Sequence, residues 1–398
     1  MKTIDDITDI DGKRVLVRVD FNVPLENGTV SDDTRIRAAL PTIKSLTDGG
    51  ARVILMSHLG RPSGTGFEDA YSLGPAARVL ARLLANDVAL ASYDDATGGL
   101  VCDDARSKAN GMEPGQVILL ENLRFDAREK KNDEGFAKEL ASLADIYVDD
   151  AFGVAHRAHA SVEAIAHILP SYAGLLLSNE VETLTSMLAH PERPFVAILG
   201  GSKVSDKIKV IDSLLDTVDV LLIGGAMCFT FLAAQGYSVG KSLCETDWID
   251  KAKAMLDKAY ENGVAMLLPN DVVVADGIDD VAGAHVCGID EIPSDKMGLD
   301  VGPATCERYA HEIASAKTVF WNGPMGVFEV PAFEAGTKQV ALAVARNKQA
   351  NTVIGGGDSV AAIHKFDLAN EVTFISTGGG ASMQLVEGTP LPGVVALG

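Results

Sequence analysis

Polar and basic side chains follow each of four short apolar runs in the first half of the chain. The residues concerned are Asp20, Asn22, Arg35, Arg37, His58, Arg61, Asn122, Arg124, Asp149, Asp150, His156, Arg157 and His159. Arginine guanidinium groups bind phosphate and carboxylate oxygens through paired hydrogen bonds. Each cation taken alone is typical of a solvated surface. Ligands of open α/β sheets, however, bind outside the carboxyl ends of the strands, where these residues fall. Their convergence there favours an anion-binding pocket.

Two histidines, His156 and His159, flank Arg157 in the same part of the sequence. Histidines three residues apart could ligate a metal ion, but zinc takes three or four protein ligands and no third ligand is evident nearby. We therefore favour a histidine pair that supports the anion site, and metal binding is the weaker interpretation.

Glycine-rich turns follow five apolar runs in the second half. They are Gly200-Gly201, Gly224-Gly225, Asn322-Gly323, Gly355–Gly357 and Gly378–Gly380. Glycine lets backbone N–H groups approach phosphate oxygens, and the start of a following helix adds a favourable dipole. Tight strand-to-helix turns also use glycine. Five such turns, two of them with three consecutive glycines, favour a nucleotide site.

Charged residues accompany these turns. Asp358 follows one glycine triplet, where it could hold Mg²⁺, a cation that takes few protein oxygens alongside phosphates. Lys203 and Lys207 are predicted to lie in the first turn of a helix, where a positive charge opposes the helix dipole. Their position therefore indicates a function rather than helix stabilisation.

Several catalytic motifs are absent. The segment from Gly236 to Ser242 is one residue short of a P-loop and does not directly follow a predicted strand, so it is a chance near-match. No strand-linked GxGxxG is present, which argues against a dinucleotide-binding dehydrogenase. GxSxG and HExxH are absent as well.

The elements that must position these residues are strands of parallel sheets. Continuous apolar runs are typical of strands covered on both faces, and helical spacing lies between them. The runs are Val15–Val19, Val53–Met56, Val117–Leu120, Ile146–Val148, Phe195–Leu199, Val220–Ile223, Ala265–Leu268, Thr318–Trp321, Thr352–Ile354 and Val372–Ile375. This β-α-β alternation predicts an α/β fold, formed twice.

The chain has 398 residues, which suits two domains of similar size. The boundary is predicted at about residues 170–193. There a helix over 174–190 would place Leu177, Val181, Leu184 and Leu188 on one face. We interpret this helix as a bridge between domains, and an ordinary domain helix is an equally open alternative.

The net charge is −21, which argues against nucleic acids and anionic membranes as partners. Five scattered cysteines without CxxC spacing indicate free thiols in a reducing compartment. The first residues carry no apolar signal-peptide run, and no long uncharged apolar stretch could span a membrane. We therefore expect a cytoplasmic protein, and we expect it to be a monomer.

Long motifs resemble those of the phosphoglycerate kinase family, in the family's order and over nearly the whole chain. They begin at Arg18 (RVDFNVP), His58 (HLGRP), Glu121 (ENLRF), Asp149 (DDAFGVAHRAH), Gly200 (GGSKVSDK), Trp321 (WNGPMGVFE), Gly355 (GGGD) and Ser376 (STGGGAS). Departures are small. Ser202 stands where alanine is common, and Ser359-Val360 stand where many relatives have Thr-Ala.

The resemblance implies two Rossmann-like three-layer lobes with parallel sheets, joined by an interdomain helix and a cleft. Residues 1–170 would bind 3-phosphoglycerate, 171–192 would form the helix, 193–383 would bind Mg-ATP or Mg-ADP, and 384–398 would pack back onto the first lobe. The acid substrate would contact Asp20, Asn22, Arg35, His58, Arg61, Arg124 and Arg157. The nucleotide would contact Lys207, Gly224, Leu299, Asn322, Glu329, Gly356, Gly357, Asp358 and Ser359, with Asp358 on Mg²⁺.

The implied reaction is reversible phosphoryl transfer between 1,3-bisphosphoglycerate and ADP, in glycolysis and gluconeogenesis. The catalytic residues would be Arg35, Lys203, Gly356 and Gly379. Arg35 and Lys203 would flank the phosphoryl from opposite lobes after domain closure. Because the attacking carboxylate is ionised at pH 7, no catalytic base is expected. The alternatives are a kinase for another phosphorylated acid and a non-catalytic anion-binding protein.

Overall fold

The computed structural model describes all 398 residues, which form two compact units. The first contains Met1–Thr183 together with Pro390–Gly398, and the second contains Leu184–Thr389. Each is an α/β unit built on its own six-stranded sheet. The α/β prediction, with two parallel sheets, is therefore confirmed.

The first unit has eight strands. They are β1 (Arg14–Arg18), β2 (Leu25–Glu26), β3 (Thr29–Val30), β4 (Arg52–Met56), β5 (Val88–Leu90), β6 (Val117–Leu119), β7 (Ile146–Asp149) and β8 (Ser171–Ala173). Six of them form an entirely parallel sheet in the order β5-β6-β4-β1-β7-β8, while β2 and β3 form a separate antiparallel hairpin. Parallel order brings the carboxyl ends of β1, β4, β6 and β7 to one edge.

Helices connect these strands and cover the sheet. They are α1 (Thr34–Asp48), α2 (Gly74–Leu84), α3 (Asp103–Asn110), α4 (Glu134–Ala141) and α5 (Leu175–Ala189). Alternate residues of β1 point to opposite faces, and Val15, Leu16 and Val17 are all fully buried. Burial on both faces explains why the strand is a continuous apolar run rather than an alternating one.

The second unit has nine strands. They are β9 (Phe195–Leu199), β10 (Val220–Ile223), β11 (Ala265–Leu267), β12 (Asp271–Ala275), β13 (His285–Gly288), β14 (Met297–Val301), β15 (Thr318–Asn322), β16 (Asn351–Gly355) and β17 (Phe374–Ile375). The main sheet is parallel, in the order β11-β10-β9-β15-β16-β17. Its helices are α6 (Ile208–Leu214), α7 (Met227–Ala234), α8 (Ile249–Glu261), α9 (Pro303–Ser315), α10 (Ala335–Arg346), α11 (Gly357–Lys365) and α12 (Gly380–Val386).

A three-stranded antiparallel sheet, β13-β12-β14, was not predicted from the sequence. The edge strand β13 is largely exposed and short, and the apolar part of β12 is only Val272–Val274. Such strands leave weak sequence signals because their stability comes from pairing with neighbours.

The helix α5 begins and ends close to its predicted limits, but its buried face is different. Leu177 and Leu184 are buried as expected, whereas Glu180 and Met187 occupy the positions assigned to Val181 and Leu188. Apolarity was the only available criterion, and it passed over Glu180, which is fully buried. The boundary between the two units falls within this helix. Its role as an interdomain bridge stays a prediction.

A last helix, α13 (Pro392–Ala396), belongs to the first unit. The Gly393 N–H donates to the Ala155 carbonyl at 2.9 Å, and a side chain at position 393 would collide with Val162.

All five cysteines are free thiols, as predicted. No helix has both the length and the apolar character needed to cross a membrane.

Candidate functional site

His58, directly after β4, lies at the centre of a cluster of arginines in the first unit. Its side chain is almost completely buried, and its Nδ1 lies 3.2 Å from Nη2 of Arg18. Burial and the charges of nearby arginines hold the pKa of His58 well below its ordinary value. These arginines, in order of their effect, are Arg18, Arg124, Arg35 and Arg157. The predicted anion pocket is thus a region of concentrated positive charge.

Asp20 partly balances this charge. Its carboxylate accepts a hydrogen bond from Nη1 of Arg35 at 2.5 Å and another from the Asn22 N–H at 3.2 Å. The Asn22 side chain accepts from the Gly60 N–H at 2.9 Å, which joins the loops after β1 and β4. Asp20 therefore holds Arg35, at the start of α1, next to the strand ends.

Arg124 is positioned by the loop after β6. Asn122 accepts hydrogen bonds from the N–H groups of Leu59 and Arg124 and donates to two carbonyls, so it fixes this loop to the loop after β4. The Arg124 guanidinium donates to the Gly60 carbonyl at 2.7 Å, but its Nε is buried without a partner. Burial, with the charges of neighbouring arginines, lowers the pKa of Arg124 to about 10. A buried, incompletely bonded guanidinium is suited to binding an anion.

Arg157 is exposed and donates to Nε2 of His156 at 3.1 Å. His159 lies instead beside Glu129, 3.5 Å from its Oε1. No cluster of three or more His, Cys, Asp or Glu residues in the chain could hold a metal ion. The weaker interpretation of His156 and His159 as metal ligands therefore has no structural support.

Arg61 is exposed in the loop after β4 and forms no hydrogen bond or ion pair with the cluster. Arg61 follows Gly60, which Asn22 and Arg124 bind, so it lies beside the other predicted acid-site residues without a bond to them. Arg61 carries a charge near the site but is not held by it.

Sequence reasoning missed Arg18 as a site residue, although it is the last residue of β1. It is fully buried and donates to the Ser161 hydroxyl at 2.9 Å and to the Val19 carbonyl. Ser161 in turn binds the fully buried Glu129. Its position within an otherwise apolar strand was the only signal, and it does not reveal the distant acceptor that lets a charged residue be buried there.

In the second unit, glycine turns at the carboxyl ends of β9, β15 and β16 line a cavity. Gly200, Gly323 and Gly356 contribute to it. A Cβ at Gly323 would lie 2.2 Å from the Gly200 carbonyl oxygen, and at φ +97° the backbone itself favours glycine. The strand ends therefore approach each other through their backbones, which leaves N–H groups and space where a side chain would otherwise lie.

Asn322 and Lys207 supply polar groups to this cavity. The Lys207 ammonium donates to Asn322 Oδ1, and burial lowers the pKa of Lys207. The Asn322 Nδ2 is buried without a partner. It lies beside Gly356, where an added Cβ would come within 2.6 Å of it. An unbonded donor next to an open glycine turn is a site for an acceptor oxygen of a ligand.

The predicted positions of two lysines in the first turn of a helix are wrong. The helix α6 begins at Ile208, so Lys207 lies in the turn that precedes it, and Lys203 lies before that turn. The carboxylate of Glu245 accepts from the N–H of Ser205 at 3.0 Å and from its hydroxyl at 2.6 Å. These bonds tie the turn that precedes α6 to Glu245. Lys203 and Lys207 still line the cavity.

Asp358, the second residue of α11, has an exposed carboxylate at the edge of this cavity. No other protein group forms a hydrogen bond or ion pair with it, although Lys207 lies close enough to feel its charge. A single free carboxylate beside a predicted phosphate site fits Mg²⁺, which binds one or two carboxylates and takes its other oxygens from phosphates and water. The side chains present therefore fit the metal.

Three glycines of the predicted turns lie at or directly before the start of a helix. Gly356 (φ +86°) precedes α11 and Gly357 begins it, while Gly379 precedes α12. All three line the cavity. The Ser359 hydroxyl is buried and accepts from the Gly323 N–H at 2.5 Å. Ser359 thus braces a neighbouring turn, which explains why a hydroxyl is required there.

A second, mainly apolar cavity lies next to the glycine-lined cavity. Leu299 on β14 and the exposed Glu329 line it, together with Phe229, and Asp358 borders both cavities. Gly224 follows β10, and a Cβ there would lie 2.4 Å from the sulfur of Met325, a lining residue. Apolar walls with one exposed carboxylate at the rim suit a nucleoside, whose base is flat and whose ribose carries hydroxyls.

The fold and both sites define an α/β phosphotransferase, with an arginine-rich anion site in one unit and a glycine-lined cavity in the other. The phosphoglycerate kinase family model matches residues 4–389. A phosphoglycerate kinase from Moorella thermoacetica is 56% identical over 395 residues, which cover 99% of this chain and 98% of the relative. One from Dictyoglomus turgidum is 52% identical over 398 residues, covering 100% and 98%.

Solved structures agree with these matches. The structure of phosphoglycerate kinase from Coxiella burnetii has a TM-score of 0.89 at 44% identity and covers 99% of this chain and 98% of its own. That from Pyrococcus horikoshii OT3 has a TM-score of 0.84 at 33% identity, covering 100% and 98%. The chain belongs to the phosphoglycerate kinase family, whose members are phosphotransferases with a carboxyl group as acceptor.

Proposed function

We propose that this chain catalyses reversible phosphoryl transfer between 1,3-bisphosphoglycerate and ADP, which gives 3-phosphoglycerate and ATP. The observation that carries the proposal is the convergence of arginines on His58 in a chain of net charge −21. Such local positive charge in an acidic protein is suited to a small, multiply charged anion.

The first unit supplies the acid-substrate site. Arg35 and Arg124 present guanidinium groups to phosphate or carboxylate oxygens, and Arg157 adds a third. His58, neutral because its pKa is lowered, contributes a hydrogen bond rather than a charge. The remaining contacts are assigned to Asp20, Asn22 and Arg61. Arg61 is exposed and free to turn, so we expect it to bind the substrate only after reorienting.

The second unit supplies the nucleotide site. Asn322 Nδ2 and the Lys207 ammonium are the donors for phosphate oxygens, and the N–H groups that follow Gly356 and Gly379 add to them. Leu299 and the wall beside Gly224 contact the base, and Glu329 accepts from ribose hydroxyls. Gly357 and Ser359 are the remaining residues that we assign to the nucleotide site.

Asp358 is the residue proposed to hold Mg²⁺. When bound, the metal supplies charge neutralisation on the nucleotide phosphates. Asp358 is suited to this because its carboxylate is exposed, has no hydrogen-bond partner of its own and borders both cavities. No group of three or more His, Cys, Asp or Glu residues offers an alternative metal site.

The chemistry needs positioning and charge neutralisation rather than a base. The acceptor carboxylate is ionised at pH 7, since ordinary carboxyl pKa values are near 4. Arg35 and Lys203 are proposed to neutralise charge on the transferred phosphoryl group. Direct transfer also requires the two bound ligands to meet during turnover. We therefore predict that the two units close on each other during the reaction. We further propose that the enzyme acts as a monomer and that it works in the cytoplasm; its free thiols support the second point.

The test is an ATP turnover assay with and without 3-phosphoglycerate. We expect ADP release only when the acid is present, and none with acids that lack the phosphate. Lys203→Ala should lower kcat by about 100-fold or more, the range for loss of one preorganised electrostatic group. Lys209→Ala, an exposed lysine on α6, is the control. Turnover with other phosphorylated acids but not with 3-phosphoglycerate would refute the assignment.

A further inference from the structure

Beneath the acid site, a buried chain of hydrogen bonds runs from Glu129 to His58. The Ser161 hydroxyl donates to Glu129 Oε1 at 2.7 Å and accepts from Arg18 Nε at 2.9 Å. The Arg18 Nη2 then lies 3.2 Å from Nδ1 of His58. Glu129, Ser161 and Arg18 are all fully buried. His58 thus contacts a buried network that lies outside the substrate contacts assigned to it.

We propose that Glu129 and Ser161 are positioning residues, which aim Arg18 at His58 and thereby hold its imidazole in the neutral form protonated at Nε2. The proton on Nε2 makes that nitrogen a hydrogen-bond donor for an oxygen of the acid substrate. The inference rests on the proposed function only for the identity of that oxygen, because the tautomer itself is a property of the free protein.

The assignment of the tautomer follows from the chemistry of the guanidinium. Arginine has five N–H donors and no acceptor, so a hydrogen bond between Arg18 Nη2 and His58 Nδ1 requires a free lone pair on Nδ1. A neutral imidazole with a free Nδ1 carries its proton on Nε2. A charged imidazolium would place two donors against each other at this contact.

Ser161 fixes which group donates and which accepts in this series of hydrogen bonds. Its hydroxyl has one hydrogen, which the Glu129 carboxylate accepts, so its oxygen lone pairs are left for Arg18 Nε. The Ser161 N–H also donates to Glu129, at 3.0 Å. The carboxylate thus fixes the serine through two bonds. Without the serine oxygen, Arg18 keeps its contact with the Val19 carbonyl but loses the bond that sets the plane of its guanidinium.

The arginines around His58 oppose its protonation. Arg18 approaches from β1, Arg35 from α1, Arg124 from the loop after β6, and Arg157 from the loop after β7. Asp20 has the opposite charge, and its Oδ1 lies 3.8 Å from Nδ1. That distance is beyond a hydrogen bond, and the other oxygen of Asp20 pairs with Arg35. Together with burial, these charges hold the pKa of His58 low.

The direct test is nitrogen-15 NMR of the imidazoles in the intact chain, with histidine labelled and no substrate present. The signal of His58, one of eight histidines, is identified by its loss in His58→Asn. We expect a neutral ring with its proton on Nε2 throughout pH 5.5–8. A ring protonated on Nδ1, or one that becomes charged near pH 6.5, would overturn the inference.

The positioning role is tested with Ser161→Ala, and with Glu129→Gln as a second variant. We expect a mixture of the two tautomers at His58 in either variant, whereas Ser161→Thr should preserve the wild-type signal because it keeps the hydroxyl. Ser171→Ala is the matched control, since the Ser171 hydroxyl binds only the carbonyls of Ala166 and Leu169. An unchanged His58 signal in Ser161→Ala would refute the role.

Kinetics separate this inference from the proposed function. In Ser161→Ala the KM for 3-phosphoglycerate should rise about 10-fold, the equivalent of one misdirected hydrogen bond, while kcat changes less than about twofold. Absence of turnover in the wild-type protein, with the expected NMR signal, would refute the function and leave the tautomer standing. Normal turnover by a protein whose His58 is protonated on Nδ1 would refute the tautomer and leave the proposed function standing.

Discussion

Asp150 provides a test of how burial controls ionisation in the first unit. It lies directly after β7, is completely buried, and accepts hydrogen bonds from the N–H groups of Leu176 and Leu177 at the start of α5. Its Oδ2 has no partner, and a Cβ at Gly174 would lie 2.1 Å from its Oδ1. Burial, with a smaller contribution from the charge of Asp149, raises the pKa of Asp150 to about 8.

The expected effect on stability follows from linkage. A carboxyl whose pKa is raised on folding stabilises the protein fully below the unfolded pKa, near 4, and this stabilisation is lost as pH rises towards 8. The slope for one proton is about 1.4 kcal/mol per pH unit. Asp150→Asn keeps the acceptor oxygen but removes the ionisation. Its stability relative to wild type should therefore increase by up to about 2.7 kcal/mol from pH 5 to pH 7.

The measurement is urea unfolding followed by far-ultraviolet circular dichroism at pH 5, 6 and 7, for wild type and variant. The two units can unfold in separate transitions, so the one that shifts between wild type and variant is used. Asp133→Asn is the control, because Asp133 caps α4 in the same way but is only partly buried. A constant difference between Asp150→Asn and wild type across this range would refute the reasoning.

Three further predictions concern the two sites. Arg35→Ala should lower kcat at least about 100-fold, whereas Arg37→Ala, an exposed arginine two residues further along α1, should change it little; equal effects would contradict the assignment. Asp358→Asn should raise the Mg²⁺ concentration needed for half-maximal activity, and an unchanged requirement would exclude Asp358 as a ligand. Gly356→Ala places a Cβ 2.6 Å from Asn322 Nδ2 at φ +86°. It should raise the KM for ATP at least about 10-fold and leave 3-phosphoglycerate binding in calorimetry unchanged.

Local patterns in the sequence predicted ten of the twelve strands in the two parallel sheets, and β5 and β8 were missed. All ten predicted apolar runs coincide with strands of the two parallel sheets, with ends displaced by at most two residues. Strands buried on both faces must be apolar throughout, so their signal does not depend on knowing their neighbours. The same holds for the glycine turns, because a backbone that passes within contact distance of another backbone excludes any side chain.

Other features depend on contacts between distant parts of the chain. The turn before α6 is tied to Glu245, some 40 residues away from the serine that it binds. The exposed edge strand β13 exists because β12 pairs with it. Neither partner can be identified from the local sequence, since each segment taken alone lacks a distinctive apolar period.

The arginines show the division most clearly. Their positions after strand ends were sufficient to predict an anion site, and motif order was sufficient to predict the family. Composition and spacing could not distinguish Arg18, buried at the base of the cluster, from Arg61, which is exposed and unpaired. That difference was decided by tertiary structure, because a guanidinium can be buried only where folding brings it acceptors such as Ser161 from elsewhere in the chain.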